Sequence, residues 1–349
     1  MKRIRRKIVL ACSAVLMLLL TTVTTTFAWF SLNESAWLEG MTLEIENMDN
    51  LLITSDYDTD TANMKFKQYL TAEDIVQAIN KKRELDGKNP IGSLAEIELS
   101  PVTTTDGVNF KETVTIYDDM NRQTLDFKEA DPNKYISFRI SFTVENNGED
   151  RPDFKLFFAT KGNDEGKLDG VRATKFVAQD QAITLINNLV NGDKAMKPQE
   201  TLMVNPVNAL RMAVTDVTNT VDNKVHIYNI GKASEVKGDE VQAANLGDLA
   251  DAENAEKNAM FTYYNNVNNA KLPVMEKISD DVVQHDNFDE ALAVFAPATD
   301  SSYKIVTLDI VIWMEGYDAD SIIGVDSSIL TMLLTFKKDP AQHGAIQDK

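Results

Sequence analysis

The sequence predicts a mainly β protein, a jelly-roll-like antiparallel β-sandwich with inserted helices. Many short segments alternate apolar and polar residues with the period of two that is typical of half-buried strands. Turn residues separate these segments, and there is no regular alternation of strand and helix, which a doubly wound parallel sheet would show. The chain of 349 residues is 43% hydrophobic with only 15 Gly and 9 Pro, so it can bury a core.

The clearest strand covers residues 135–144, where every second residue from Ile136 to Val144 is apolar. Asn146, Asn147 and Gly148 then form a turn signal, and we expect residues 154–159 to pair back as a hairpin. A second hairpin is expected from residues 209–218 and 224–230 across a short turn. The other expected strands are 41–46, 51–54, 94–99, 111–117, 171–177, 304–315 and 328–337.

Three helices are expected between the strands. Thr71 is followed by Glu73 and Asp74 and can cap a helix that runs to about Leu85 and stops at Gly87. Residues 179–190 carry apolar side chains at helical spacing, and residues 239–260 are rich in Ala, Asn and acidic residues. We therefore expect one sandwich domain at 40–338 with an insertion at about 187–297, followed by a polar tail at 339–349.

The first 28 residues have the three-part plan of a secretory signal peptide. Basic residues come first, an apolar run at 8–20 follows, and the small residues Thr26 and Ala28 precede an expected cut before Trp29. The apolar run would span about 20 Å as a helix, which is short of the ~30 Å hydrocarbon core. We expect cleavage by a signal peptidase rather than a retained anchor, so that the protein meets a membrane only through this leader.

Charge and cysteine content exclude several classes of function. The chain has 35 Lys and Arg against 54 Asp and Glu, a net charge of −19, which argues against nucleic-acid binding. Removal of the leader takes away five basic and no acidic residues, so the exported chain carries 30 − 54 = −24. Cys12 is the single cysteine and lies in the leader, so disulfides and cysteine-ligated zinc are not expected.

The region after the leader carries a resemblance to a known family. Residues 25–31 read TTFAWFS and residues 39–45 read EGMTLEI. This resembles the start of the TasA and camelysin group of secreted bacterial fibre proteins, which have an aromatic-rich cleavage region for a SipW-type signal peptidase and then a first strand. The resemblance covers about residues 20–46 and implies a secreted Gram-positive protein of the biofilm-matrix type.

Residues 29–39 form the segment of most functional interest, because a free terminus is normally polar. Here it carries the apolar side chains of Trp29, Phe30, Leu32, Trp37 and Leu38. The resemblance implies that this segment leaves its own subunit and adds as a strand to the next one, with apolar side chains filling a groove. The alternative is that the same segment is an edge strand of its own sandwich.

No catalytic motif is present. The three histidines lack any metal-ligand spacing, and we expect His226 in a strand with His285 and His343 facing solvent. There is no Gly-x-Ser-x-Gly and no phosphate-binding glycine loop, so we predict that the protein is not an enzyme. No cofactor is expected except calcium, for which the candidate ligands are Asp56, Asp58, Asp60, Asp318 and Asp320.

These observations predict a secreted structural protein, located at the cell surface or in the extracellular matrix. Its expected partner is a second copy of itself, joined head to tail, which gives an open fibre because such a contact does not close. The alternative is a monomeric surface-associated binding module, with the insertion at 187–297 holding a carbohydrate or protein ligand.

Overall fold

The computed structural model describes residues 36–45, 51–56, 63–117, 123–144, 154–159, 171–173, 181–184, 201–204, 209–218, 223–230, 278–285, 290–295, 304–316 and 328–338. These residues form 18 strands and one α-helix, which confirms the predicted mainly β class. None of the helical structure in these ranges has the length and apolar character that a membrane crossing requires.

In chain order the elements are β1 (Ala36–Ile45), β2 (Leu51–Thr54), β3 (Tyr69–Leu70), α1 (Ala72–Leu85), β4 (Glu98–Leu99), β5 (Pro101–Val102), β6 (Lys111–Tyr117), β7 (Gln123–Glu129), β8 (Ile136–Val144), β9 (Phe154–Phe158), β10 (Val171–Ala173), β11 (Gln181–Thr184), β12 (Thr201–Val204), β13 (Leu210–Asp216), β14 (Val225–Asn229), β15 (Val282–His285), β16 (Ala293–Phe295), β17 (Lys304–Glu315) and β18 (Ser328–Lys338). Two 3-10 helices cover Leu94–Glu96 and Pro132–Lys134.

Two sheets of seven strands make up the body of the protein. Sheet 1 has the order β16-β9-β18-β1-β3, with β10 beside β18 and β4 beside β1. Sheet 2 has the order β15-β14-β13-β17-β8-β2, with β5 beside β17. Two further hairpins, β6–β7 and β11–β12, form separate two-stranded sheets.

The main core lies between sheets 1 and 2, as the predicted β-sandwich requires. Phe336 of sheet 1 meets Phe142 of sheet 2 with ring centroids 4.8 Å apart. Phe158 of sheet 1 meets Tyr228 of sheet 2 at 5.9 Å. Both rings of sheet 1 are fully buried, and apolar residues of both sheets belong to this one core.

A second apolar cluster covers the other face of sheet 2. Phe110 stacks on Tyr135 at 4.4 Å and meets Trp313 edge-on at 5.2 Å. Trp313 is fully buried, as are its neighbours Ile312 and Met314. Because β17 is covered on both faces here, its sequence is apolar without alternation from Ile310 to Met314.

Helix α1 begins and ends where the sequence predicts. The Thr71 hydroxyl accepts the Asp74 backbone N–H at 3.3 Å, and the Asp74 carboxylate accepts the Thr71 backbone N–H at 3.0 Å, which completes a capping box. Beyond the helix, Gly87 adopts φ +67°, a left-handed conformation that glycine accommodates without strain. The helix packs against β8 and contacts β1.

The predicted hairpin of residues 135–144 and 154–159 is wrong. Strand β8 lies in sheet 2 between β17 and β2, whereas β9 lies in sheet 1 between β18 and β16. The two strands therefore belong to different sheets and do not pair. Alternation and the turn signal identified both strands correctly, but period-2 patterning does not specify which strand is the partner. The second predicted hairpin is confirmed, since β13 pairs antiparallel with β14.

Four other expectations are corrected. Residues 181–184 of the predicted helix at 179–190 form β11, which pairs with β12. The predicted strand at 94–99 is a 3-10 helix followed by the short β4.

Three strand pairs are parallel, so the sandwich is not purely antiparallel. The insertion predicted at 187–297 is too wide, because it includes strands β13 to β16 of the two larger sheets. The predicted helix at 239–260 and the tail at 339–349 lie outside the described residues.

Candidate self-assembly surface

Strand β1 occupies an interior position in sheet 1. On one side it pairs parallel with β18 through nine residue pairs, from Ala36↔Ser328 to Ile45↔Phe336. On the other side it pairs antiparallel with β4 near its start and with β3 near its end. The first and last strands of the described chain therefore lie side by side in the middle of the sheet.

The structure places two of the predicted self-assembly residues inside this strand. Trp37 pairs with Glu98, and Leu38 is fully buried in the main core. The extended segment predicted at 29–39 therefore ends too late, because β1 begins at Ala36 and belongs to the chain's own sheet. The predicted alternative also needs correction, since this is an interior strand and not an edge strand. Trp29, Phe30 and Leu32 lie outside the described residues, as do the expected cleavage residues Thr26 and Ala28.

A register shift in β1 explains why the sequence pattern started the strand at residue 41. Leu38 and Met41 are three positions apart, so a regular strand would point them to opposite faces. The pairing moves from Leu38↔Leu330 to Gly40↔Thr331, which leaves Glu39 as an extra residue. Because of this bulge, both Leu38 and Met41 are buried in the main core.

The parallel pairing of β1 and β18 determines where the ends of the chain leave the sandwich. Both strands run in the same direction, so residue 35 precedes β1 at one end and residue 339 follows β18 at the other. A strand of ten residues spans about 33 Å at roughly 3.3 Å per residue. The chain therefore enters and leaves sheet 1 at opposite ends of the molecule.

An open cleft lies at the far end of β1, on the solvent face of sheet 1. It has a volume of about 260 Å³ and is lined by Thr42, Glu44, Ile45, Gln68 and Tyr69. Tyr69 is the largest exposed ring among the described residues at 59% exposure, and it pairs with Glu44 across β3 and β1. The Thr335 hydroxyl donates to Glu44 Oε1 at 3.3 Å, which fixes one side of the cleft. An aromatic ring beside polar groups is a typical element of a binding surface.

The calcium candidates receive no support from the residues described. Asp56 pairs with Lys81, whose Nζ lies 3.4 Å from Oδ1, and Asp58, Asp60, Asp318 and Asp320 lie outside the described ranges. Within those ranges no three His, Cys, Asp or Glu side chains converge to hold a metal ion. Calcium binding stays a prediction.

One of two neighbouring histidines lies where sequence analysis did not expect it. His226 is in β14, as predicted, but His285, which is expected to face solvent, is a half-buried residue of β15. His226 Nδ1 lies 2.8 Å from His285 Nε2. The two are 59 positions apart in the chain, so no local motif reveals the pair. Burial lowers the pKa of His285, as does the neighbouring His226, while burial raises the pKa of Tyr228 beside them.

Comparisons with known proteins yield no relative. No protein-family model matches the chain, and no curated protein or solved structure is significantly similar to it. The resemblance of residues 20–46 to the TasA and camelysin group therefore stays a prediction from the sequence.

Proposed function

We propose that this chain is a secreted structural protein of the cell surface or extracellular matrix, whose subunits join head to tail by donation of an N-terminal strand. The observation that carries the proposal is the parallel pairing of β1 and β18, which sends the two ends of the chain to opposite ends of the sandwich. An arm that leaves one end of a subunit can reach the far end of the next, and a contact of that kind repeats without closing.

The length of the arm fits this geometry. After cleavage before Trp29, residues 29–35 precede β1, and seven extended residues reach about 23 Å. Phe30 and Leu32 are two positions apart and share one face of an extended strand. Two apolar side chains on one face and backbone groups along the edge are the elements of strand addition to a neighbour's sheet.

The cleft beside Tyr69 is the receiving surface that this proposal favours. It lies at the Ile45 end of β1, which is the end opposite to the start of the arm. Its position on the open face of sheet 1 leaves it accessible to a second copy, and the ring of Tyr69 offers apolar contact area to an incoming aromatic side chain.

The test compares proteins that begin at Trp29 and at Ser35 by electron microscopy and sedimentation. Both retain all of β1, so each is expected to fold. Filaments are expected only from the protein that begins at Trp29. In that protein the double change Phe30→Ser with Leu32→Ser should abolish filaments, whereas the matched change Asn33→Ser should leave them intact. Filaments from the protein that begins at Ser35, or monomers from both at all concentrations, would refute strand donation.

The second candidate is a monomeric surface-associated binding module for a carbohydrate or protein ligand. The open cleft with an exposed ring favours it, because aromatic faces and polar side chains together suit ligand recognition. Stable monomers in sedimentation, together with a ligand whose binding is weakened by Tyr69→Ser, would select this function over the first.

A further inference from the structure

The pair of histidines lies on the inner face of sheet 2, at the edge formed by β15. Tyr228 and His226 are two positions apart on β14, so they share one face, and Tyr228 belongs to the main core. In the parallel register, His285 is the partner of Tyr228. The imidazole of His285 is nearly parallel to the ring of Tyr228, with centroids 4.9 Å apart, and lies edge to edge with that of His226, with centroids 5.0 Å apart.

Both imidazoles are half-buried, so solvent reaches them at the rim of the sandwich. Their facing nitrogens, His226 Nδ1 and His285 Nε2, lie 2.8 Å apart, so one carries the shared proton and the other contributes a lone pair. Burial and the presence of His226 lower the pKa of His285.

We propose that His226 and His285 form a binding site for a divalent transition-metal ion of the zinc or copper class, which fastens the edge strand β15 to β14. The ion takes the place of the shared proton between Nδ1 and Nε2. Imidazole nitrogens are preferred ligands of these ions. The donor ring changes to its other tautomer, so its proton moves to the nitrogen that faces away and no net proton is released.

Metal binding requires the two rings to move. Zinc bonds to imidazole nitrogen at roughly 2.0–2.1 Å, so two nitrogens of a tetrahedral ion lie about 3.3 Å apart. The pair therefore has to open by about 0.5 Å, and both rings have to tilt so that their lone pairs point at the ion instead of at each other. The remaining coordination positions are taken by water, since no third protein ligand converges with these two among the residues described.

The local charge favours a cation. Glu290, on the segment that leads into β16, raises the pKa of both Tyr228 and His285 through its negative charge. Glu290 is exposed and precedes β16, which is an edge strand of sheet 1. It therefore adds attraction for a divalent ion without contributing to the buried core.

The experiment is calorimetric titration of the protein without a histidine tag, at pH 7.5, with Zn²⁺ alone. One site per chain is expected, because two imidazole nitrogens form a single site for the ion. His226→Gln and His285→Gln should each weaken binding by tenfold or more. His343→Gln is the matched control, because it changes the third histidine of the chain and should leave binding unchanged.

Two further experiments distinguish imidazole ligands from the many carboxylates of this acidic chain. Excess Ca²⁺ should not displace Zn²⁺, because calcium selects oxygen ligands. Cu²⁺ bound at one equivalent should show nitrogen hyperfine coupling in its electron paramagnetic resonance spectrum, and this signal identifies the ligands even if a glutamine variant fails to fold. Zinc binding that persists in a folded double variant, displacement by Ca²⁺, or a copper spectrum with oxygen ligands only would each overturn the proposal.

Discussion

The carboxylate of Asp74 connects the start of helix α1 to Lys67, which lies just before β3. Its Oδ2 accepts from the backbone and hydroxyl of Thr71 at 3.0 and 2.9 Å, and its Oδ1 accepts from Lys67 Nζ at 2.6 Å. Lys67 in turn exchanges two backbone hydrogen bonds with Ile53 of β2. Burial opposes ionisation of Asp74, but the bonds from Lys67 and Thr71 outweigh it and hold its pKa below the usual 3.8.

Replacement of Asp74 by Asn should lower the free energy of unfolding by about 1–3 kcal/mol at pH 7, because the charge-assisted bonds are lost. A depressed pKa contributes stability that is present above pH 3.8 and is lost as the pH falls through the lower folded value. Urea unfolding between pH 7 and pH 3 should show this loss in the parent protein and less of it in Asp74→Asn. Glu73→Gln, an exposed change in the same turn, is the control; an equal effect of both changes would contradict the assignment.

Two glycines with positive φ offer a matched pair for testing close packing. Gly107 has φ +71°, and an added Cβ would lie 2.6 Å from Val225 Cγ1 and 3.3 Å from Ala213 Cβ. Gly87 has φ +67° with nothing within 4 Å of an added Cβ. Gly107→Ala should therefore destabilise the protein by roughly 1–3 kcal/mol more than Gly87→Ala, because it adds overlap with sheet 2 to the same backbone strain. Thermal unfolding of the two variants measures the difference. Equal losses of stability would show that the loop around Gly107 moves to accommodate the added methyl group.

At the scale of single elements, the sequence predicts strands better than it predicts their partners. The bounds of β2, β6 and β17 agree with those predicted, because their composition and length identify strands locally. The bulge at Glu39 breaks the alternation that would otherwise place Leu38 in β1. The extended segment predicted at 29–39 therefore includes the first four residues of β1. The histidine pair depends on register between strands far apart in the chain, which no local pattern contains.

The first four residues of β1 contribute to the stability of the fold. Deletion to Gly40 removes the pairing of Ala36 and Trp37 with β4 and takes the fully buried Leu38 out of the core. Loss of a buried Leu alone costs about 2–5 kcal/mol. We expect the protein that begins at Gly40 to melt well below the one that begins at Ser35, with the latter matching the protein that begins at Trp29. Equal melting temperatures for all three would show that residues 36–39 contribute nothing to the fold.

The whole molecule is strongly acidic, and this affects association. The exported chain carries 30 basic and 54 acidic residues, a net charge of −24. Subunits of like charge repel each other at low ionic strength, where the screening length is about 30 Å at 0.01 M. Within the fold some of these charges are paired, as in the bidentate contact of Arg139 with Asp309.

Raised salt should therefore promote assembly of the protein that begins at Trp29. We expect the critical concentration for filaments to fall severalfold between 0.01 M and 0.5 M NaCl, because the screening length shrinks to a few ångströms. Light scattering or sedimentation across a salt series measures this, with the protein that begins at Ser35 as the control that stays monomeric. A critical concentration that does not change with salt would rule out charge repulsion as the barrier.

The side-by-side position of β1 and β18 also determines how the molecule responds to tension. When the two ends of the chain are pulled apart, the force acts along both strands in opposite directions, because β1 is held at its start and β18 at its end. The hydrogen bonds across the nine pairs are then loaded together in shear and do not break one after another as they would in peeling. A pull on the two termini is therefore resisted by the whole length of the β1–β18 pairing at once.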